Sequence, residues 1–218
     1  MRLTLIQSPN AEPLTADEVR ERLNIGSEVT DAALESFIAS SRLGLDGVDG
    51  YLGRALITQT WRGTLDGFPS YYDHHHCGHA IVIPLPPLQS INSITYVDGS
   101  GATQTIEDGD YQIVPGPRPY IVPAYGKSWP PARFQRDAVE IEFVAGYGDN
   151  GSDVPEPIRC AIALQVSQFR SLSSRDQNVM IDNVVGVGSK TYTTGRDGGA
   201  DALTAAAMAL VSSYRVLV

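Results

Sequence analysis

VEIEFVAGYG, residues 139–148, decides how the middle of this chain folds. Val139, Ile141 and Phe143 alternate with Glu140 and Glu142. Successive side chains of an extended strand point to opposite faces, so this two-residue period predicts a strand with one buried and one wet face. Upstream, Tyr96, Val97, Asp98, Gly99, Ser100 and Gly101 read as a turn between strands, with glycines available for positive φ. Pro84, Pro86, Pro87, Pro115, Pro117, Pro119, Pro123, Pro130 and Pro131 withdraw backbone donors, which disfavours long central strands and favours edges, bends and extended connections. Residues 58–147 are therefore expected to form a mostly antiparallel β module.

Helical patterns flank it. Thr15 followed by Glu18 is a capping box, with Leu14 and Val19 placed for a hydrophobic staple and Gly26 placed to end the helix in the left-handed region. A second helix starts near Thr30 or Asp31 and carries Leu34, Phe37, Ile38, Ser41, Leu45, Val48 and Leu52 at the 3.6-residue spacing of one buried face. Gly44, Gly47, Gly50 and Gly53 interrupt it, and a glycine inside a helix costs about 0.5–1 kcal/mol relative to alanine. Either the helix frays after Leu43, or the glycines form a groove where another helix or subunit approaches closely.

After the module, Pro155 and Pro157 open a third helix whose face is marked by Ile158, Ile162, Gln165, Phe169 and Leu172, with Cys160 a small core residue beside it. Residues 173–201 turn polar and glycine-rich, as in an extended arm. Residues 202–211 are alanine-rich with high helix propensity, and the chain finishes in Tyr214, Arg215, Val216, Leu217 and Val218. An apolar tail on such an arm is expected to dock on something. The organisation is thus α+β: N-terminal helices in 1–57, an inserted β module in 58–147, a body helix in 148–172, and an arm with a docking tail in 173–218.

Composition narrows the function. A hydrophobic content of 42% over 218 residues suffices for a real core. With 25 acidic against 16 basic residues the formal charge is −9, which argues against a basic face gripping DNA phosphates. Only residues 148–218, with 6 basic and 7 acidic side chains, approach neutrality. Two cysteines, Cys77 and Cys160, make no disulfide framework and suit a reducing cytosol. Neither a secretion signal nor an apolar run long enough to span a membrane is visible.

The candidate chemistry is sparse. The run Asp73, His74, His75, His76, Cys77, Gly78, His79 contains metal-ligand types, and in an extended chain either His74 and His76, or His75, Cys77 and His79, would share one side. A structural zinc site draws ligands from two separated segments, and no second cluster exists, so a solvated hairpin tip is the expected role. Gly186, Val187, Gly188, Ser189, Lys190 and Thr191 lack the glycine before lysine that a phosphate-binding loop needs. No nucleophile elbow or zinc-protease helix is present. Neither catalytic residues nor a cofactor are expected.

Five phrases occur in an order that carries more than any one of them: YLGRALITQTWRGTLDGFP (51–69), IPLPPLQSINSITYVDGSG (83–101), VPAYGKSWP (122–130), VEIEFVAGYG (139–148) and VPEPIRCAI (154–162). Together, over roughly residues 1–172 and again at SSYRV (212–216), the chain resembles the head-tail connector, or adaptor, proteins of tailed bacteriophages and gene transfer agents. The resemblance implies a structural protein of the virion head-tail junction, assembled in the host cytoplasm. It would form a ring of twelve copies beneath the capsid portal, followed by a neck or stopper protein, with DNA passing through without specific binding. It also implies a continuous second helix, which favours subunit packing at Gly44, Gly47 and Gly50, and a portal contact at Leu210, Tyr214, Arg215, Val216 and Leu217. The histidine run looks like a local insertion relative to that family. A ligand- or metal-binding β module, or a small enzyme using the histidine loop, is the alternative.

Overall fold

The alternation in residues 139–145 becomes the centre of a sheet. In the computed structural model, which describes residues 1–69, 79–173, 181–184, 188–191 and 199–216, β8 (Val139–Ala145) pairs antiparallel with β2 (Gln59–Leu65) on one side and β4 (Leu88–Val97) on the other. Opposite Phe143 stand Trp61 on β2 and Ile91 on β4. β1 (Arg2–Gln7) and β5 (Thr103–Thr105) complete the order β1-β2-β8-β4-β5, with every pairing antiparallel. A three-stranded sheet, β3-β7-β6, is built from β3 (Ile81–Val82), β6 (Tyr111–Val114) and β7 (Tyr120–Pro123). Between these sheets lies one core, in which Ile83, Leu85, Ile94, Ile121, Ile141 and Phe143 are buried. The turn expected at 96–101 forms: the Asp98 carboxylate accepts from the backbone N–H groups of Ser100 (2.9 Å) and Ala102 (3.0 Å).

A second core belongs to the helices. α1 (Ala16–Leu23) carries the expected capping box, with the Glu18 N–H donating to Thr15 Oγ1 (3.2 Å) and the Thr15 N–H to Glu18 Oε2 (2.9 Å), and both staple residues Leu14 and Val19 are buried. Its stop differs from the expectation. Asn24, not Gly26, takes the left-handed conformation at φ 49°, since asparagine tolerates that region and already sits at the helix end. α2 (Asp31–Leu45) packs Leu34, Ile38 and Leu45 inward against α3 (Glu156–Ser173), which buries Ile158, Ala161, Ile162 and Val166. Two sequence expectations about α3 are corrected. Its inward stripe runs through Ala161 and Val166, leaving Phe169 and Leu172 partly exposed, with Phe169 stacked on Phe37 at 6.1 Å. Cys160 is half-buried in a polar setting, with Sγ 3.8 Å from an Arg22 nitrogen and 3.4 Å from Glu156 Oε1, and is not a core residue.

The largest correction concerns the glycines. The second helix is not continuous through Gly53: it ends at Leu45, and the chain folds back in a tight turn in which the Gly47 N–H donates to Arg54 O (2.7 Å) and the Leu52 N–H to Leu45 O (3.1 Å). Gly47 has φ +82°, and a Cβ on Gly50 would lie 2.3 Å from the Asp46 carbonyl oxygen. These two glycines permit the turn, whereas Gly44, the one inside the helix, faces open space.

N-terminal residues 2–7 belong to the β sheet rather than to the helices, as its edge strand. At the other end, α4 (Gly199–Val211) follows a hairpin of β9 (Ile181–Val184) and β10 (Gly188–Thr191) and packs on α3. Ala207 and Val211 are fully buried in the helical core, so the alanine-rich helix docks on the chain's own body. α4 packs on α3, and the burial of Ala207 and Val211 in the shared helical core draws the helix into the body.

Candidate interaction surface

Where the helical body meets the β module, the end of α2 supplies a buried polar hub. The Asp46 carboxylate accepts from the Leu56 N–H (2.9 Å), from Gln59 Nε2 (2.7 Å) and from an Arg42 terminal nitrogen (3.0 Å). Arg42 Nε donates to Glu12 (2.7 Å), and Trp61 Nε1 donates to Gln59 Oε1 (3.0 Å). Burial disfavours the charge on Arg42, but its two carboxylate partners outweigh this and its pKa is raised. The hub is satisfied throughout, which fixes the module on the body.

Beside the hub opens a groove of about 960 Å³, floored by Trp61, Ile83 and Leu85 and walled by Leu3, Leu5, Leu43, Val48 and Val82. Leu43 is 64% exposed, and Met1, Leu5, Val48 and Val82 are also exposed. Contiguous apolar surface of this kind makes the groove a candidate interaction surface. Asp49, also on the lining, makes no hydrogen bond or ion pair among the described residues.

Past the opposite end of β2 stands the loop 124–136. Its base is rigid: Trp129 stacks on Phe68 at 5.0 Å and donates from Nε1 to the His79 carbonyl (2.7 Å), and the Arg133 N–H donates to Val97 O (2.8 Å). Lys127 pairs with Asp110 at 3.1 Å. From this base Tyr125 and Phe134 project with relative exposures of 101% and 105%, as open to water as in an extended peptide.

Residues 214–216 lie against the body. The Val216 N–H donates to Leu52 O (2.9 Å), Arg54 donates to the Tyr214 carbonyl, and the Arg215 guanidinium sits 4.7 Å over the Tyr51 ring. Of the residues expected to contact a portal, Leu210 and Arg215 are exposed, Tyr214 and Val216 are half-buried on the chain's own surface, and Leu217 lies outside the described residues. Tyr214 and Val216 thus share one end, and Val216 also reaches the groove.

Other expected sites are dispersed. Of the metal-ligand alternative, His75 and Cys77 lie outside the described residues, and His79 sits at the base of the aromatic loop. Among the described residues no group of three or more His, Cys, Asp or Glu is placed to hold a metal ion, and no helix is long and apolar enough to cross a membrane. Gly44, Gly47 and Gly50 do not form a common face, since Gly47 and Gly50 belong to the turn. Sequence reasoning missed both the groove and the loop. Tyr125 and Phe134 amid prolines were the available signal for the loop, whereas the groove joins residues from six separated segments.

The sequence matches no family model, and no curated protein sequence matches it. Solved structures do share its fold. A chain in the virion of a native gene transfer agent particle superposes with a TM-score of 0.68 at 23% identity, covering 100% of this chain and 97% of that one. The neck of an empty gene transfer agent particle computed with C6 symmetry gives 0.67, and the neck of a native particle computed with C12 symmetry gives 0.66, each at 22% identity with the same coverage. This chain therefore has, from end to end, the α+β fold found in chains of gene transfer agent particles and their necks.

Proposed function

We propose that this protein is a structural head-tail connector: copies form a ring, of twelve subunits, under the capsid portal and join the DNA-filled head to the neck and tail. The observation that carries this reading is the full-length likeness to chains of gene transfer agent necks. Supporting it, the conspicuous surfaces are broad and apolar, as suits protein contacts, and the formal charge of −9 suits a channel wall that DNA passes without adhering. The role is non-catalytic and needs no cofactor. Neighbouring copies, the portal and a downstream neck protein are the partners, and the virion is the location.

In this reading the portal contact is the end of the chain, with Leu210, Tyr214, Arg215, Val216 and Leu217 presented from α4 onward. Particle-producing cells lacking the protein should yield DNA-filled heads that leak or lack tails, seen by electron microscopy. Leu210→Asp with Arg215→Glu should give the same particles while the purified variant keeps its circular dichroism spectrum, because both side chains are exposed. Normal tailed particles from cells without the protein would sink the connector reading.

A further inference from the structure

We infer that the loop 124–136 of one copy seats in the groove of the next, with Tyr125 and Phe134 buried on Trp61, Leu43 and Val48, and Arg133 meeting Asp49. This rests on the reading of the chain as a ring subunit and names the contact that would hold the ring. Full exposure of two aromatic side chains on a braced loop is the first support. Each aromatic buries roughly 150–250 Å² when covered, and the stacked Trp129 base means that little ordering entropy is lost on docking.

The second support is that the chain cannot satisfy itself. The groove runs along β2 from Gln59 to Met1, which stands beside Gly63, and the part walled by Leu43, Val48 and Asp49 lies at the Gln59 end. Asp66 and Phe68, past the other end of the strand, lie under the loop, a separation of roughly 20 Å between that part of the groove and the loop base for a seven-residue strand. Two different patches on one subunit that fit each other make a head-to-tail contact, which closes into a ring when the rotation allows. Charge agrees with this pairing: Arg133, adjacent to Phe134, makes no ion pair among the described residues and Asp49 makes none at the groove, while of the two cations on the lining Arg42 is matched by Asp46 and Glu12 and Arg118 is engaged in an interaction of its own. Buried aromatics beside an arginine are the side chains that dominate binding at interfaces. The necks computed with C6 and C12 symmetry are consistent with a repeating contact of this kind.

The test uses the full chain in assembled particles. With Phe134→p-benzoylphenylalanine, irradiation should cross-link two copies of the protein, and mass spectrometry of a mixture of isotopically light and heavy copies should place the bond between residue 134 of one and a peptide holding Leu43, Val48 or Val82 of another. Separately, Arg133→Glu and Asp49→Arg should each cut the number of copies incorporated per particle by roughly tenfold, the effect of about 1.4 kcal/mol at an interface, and the double variant should restore it. Cross-links to the portal, to DNA or to any other face of the chain would overturn the contact, as would an absent cross-link, unaffected single variants, or a double variant no better than either. Particles that take up no copies of the unaltered chain would instead overturn the connector reading itself.

Discussion

At the residue scale, two clusters of charge hold the helices, and each makes a prediction. Arg159, buried on α3, donates to the Pro13 carbonyl (3.0 Å), to Glu156 (3.1 Å) and to Glu18, while Arg22 from α1 pairs with Glu156. The Arg22 hydrogen bond is the main reason that the Glu156 pKa falls from 4.5 to about 2. A carboxylate whose folded pKa is depressed stabilises the protein above its unfolded pKa, so this contribution should be complete above about pH 4.5 and be lost as the pH falls toward 2. Urea unfolding across that window should show the decline, and Arg22→Ala should make it shallower. The Asp46 hub is the costlier target. Asp46→Ala leaves the Leu56 N–H, Gln59 and Arg42 without their buried partner and is expected to lower stability by about 3–5 kcal/mol, read as a shifted urea midpoint.

At the scale of elements, three glycines that look equivalent in sequence should respond differently to alanine. Gly44→Ala adds a Cβ where nothing lies within 4 Å, inside a helix, and should raise stability by about 0.5–1 kcal/mol. Gly47→Ala forces an L-residue to φ +82° and should cost about 1–2 kcal/mol. Gly50→Ala places its Cβ 2.3 Å from backbone oxygen and should be the most damaging of the three. Thermal melts of the three variants check the order, and equal gains from all three would restore the continuous helix.

At the scale of the whole molecule, α4 and the edge strand β1 bring both ends of the chain into the folded body. Deleting residues 199–218 removes Ala207 and Val211 from the helical core, and with them the Thr204 hydroxyl hydrogen bond to Gln168 (2.8 Å). The truncated chain is therefore expected to melt well below the full-length protein by circular dichroism, so loss of portal attachment on that deletion would mix two causes. The exposed pair Leu210 and Arg215 is the cleaner probe of attachment. Free protein is expected to be monomeric or weakly associated by light scattering, with the ring forming on the portal. A stable dimer indifferent to portal would contradict this.

What the sequence determined by itself was local. The capping box at Thr15 and Glu18, the alternation at 139–143 and the turn at Asp98 each fix their geometry through neighbours a few residues away, and all three are realised. The ordered phrases carried the resemblance to connectors before any fold was visible. Only tertiary structure decided the rest. Whether Gly47 lies in a turn or within a helix depends on Asp46 finding Leu56 and Gln59, and whether an alanine-rich tail hangs free depends on the helical core that receives Ala207 and Val211. The hydrophobic pattern of β1 is too short to declare a strand until β2 offers its edge. The groove required Leu5, Leu43, Trp61 and Val82 to converge from distant segments, and nothing in the spacing of those residues along the chain encodes that meeting.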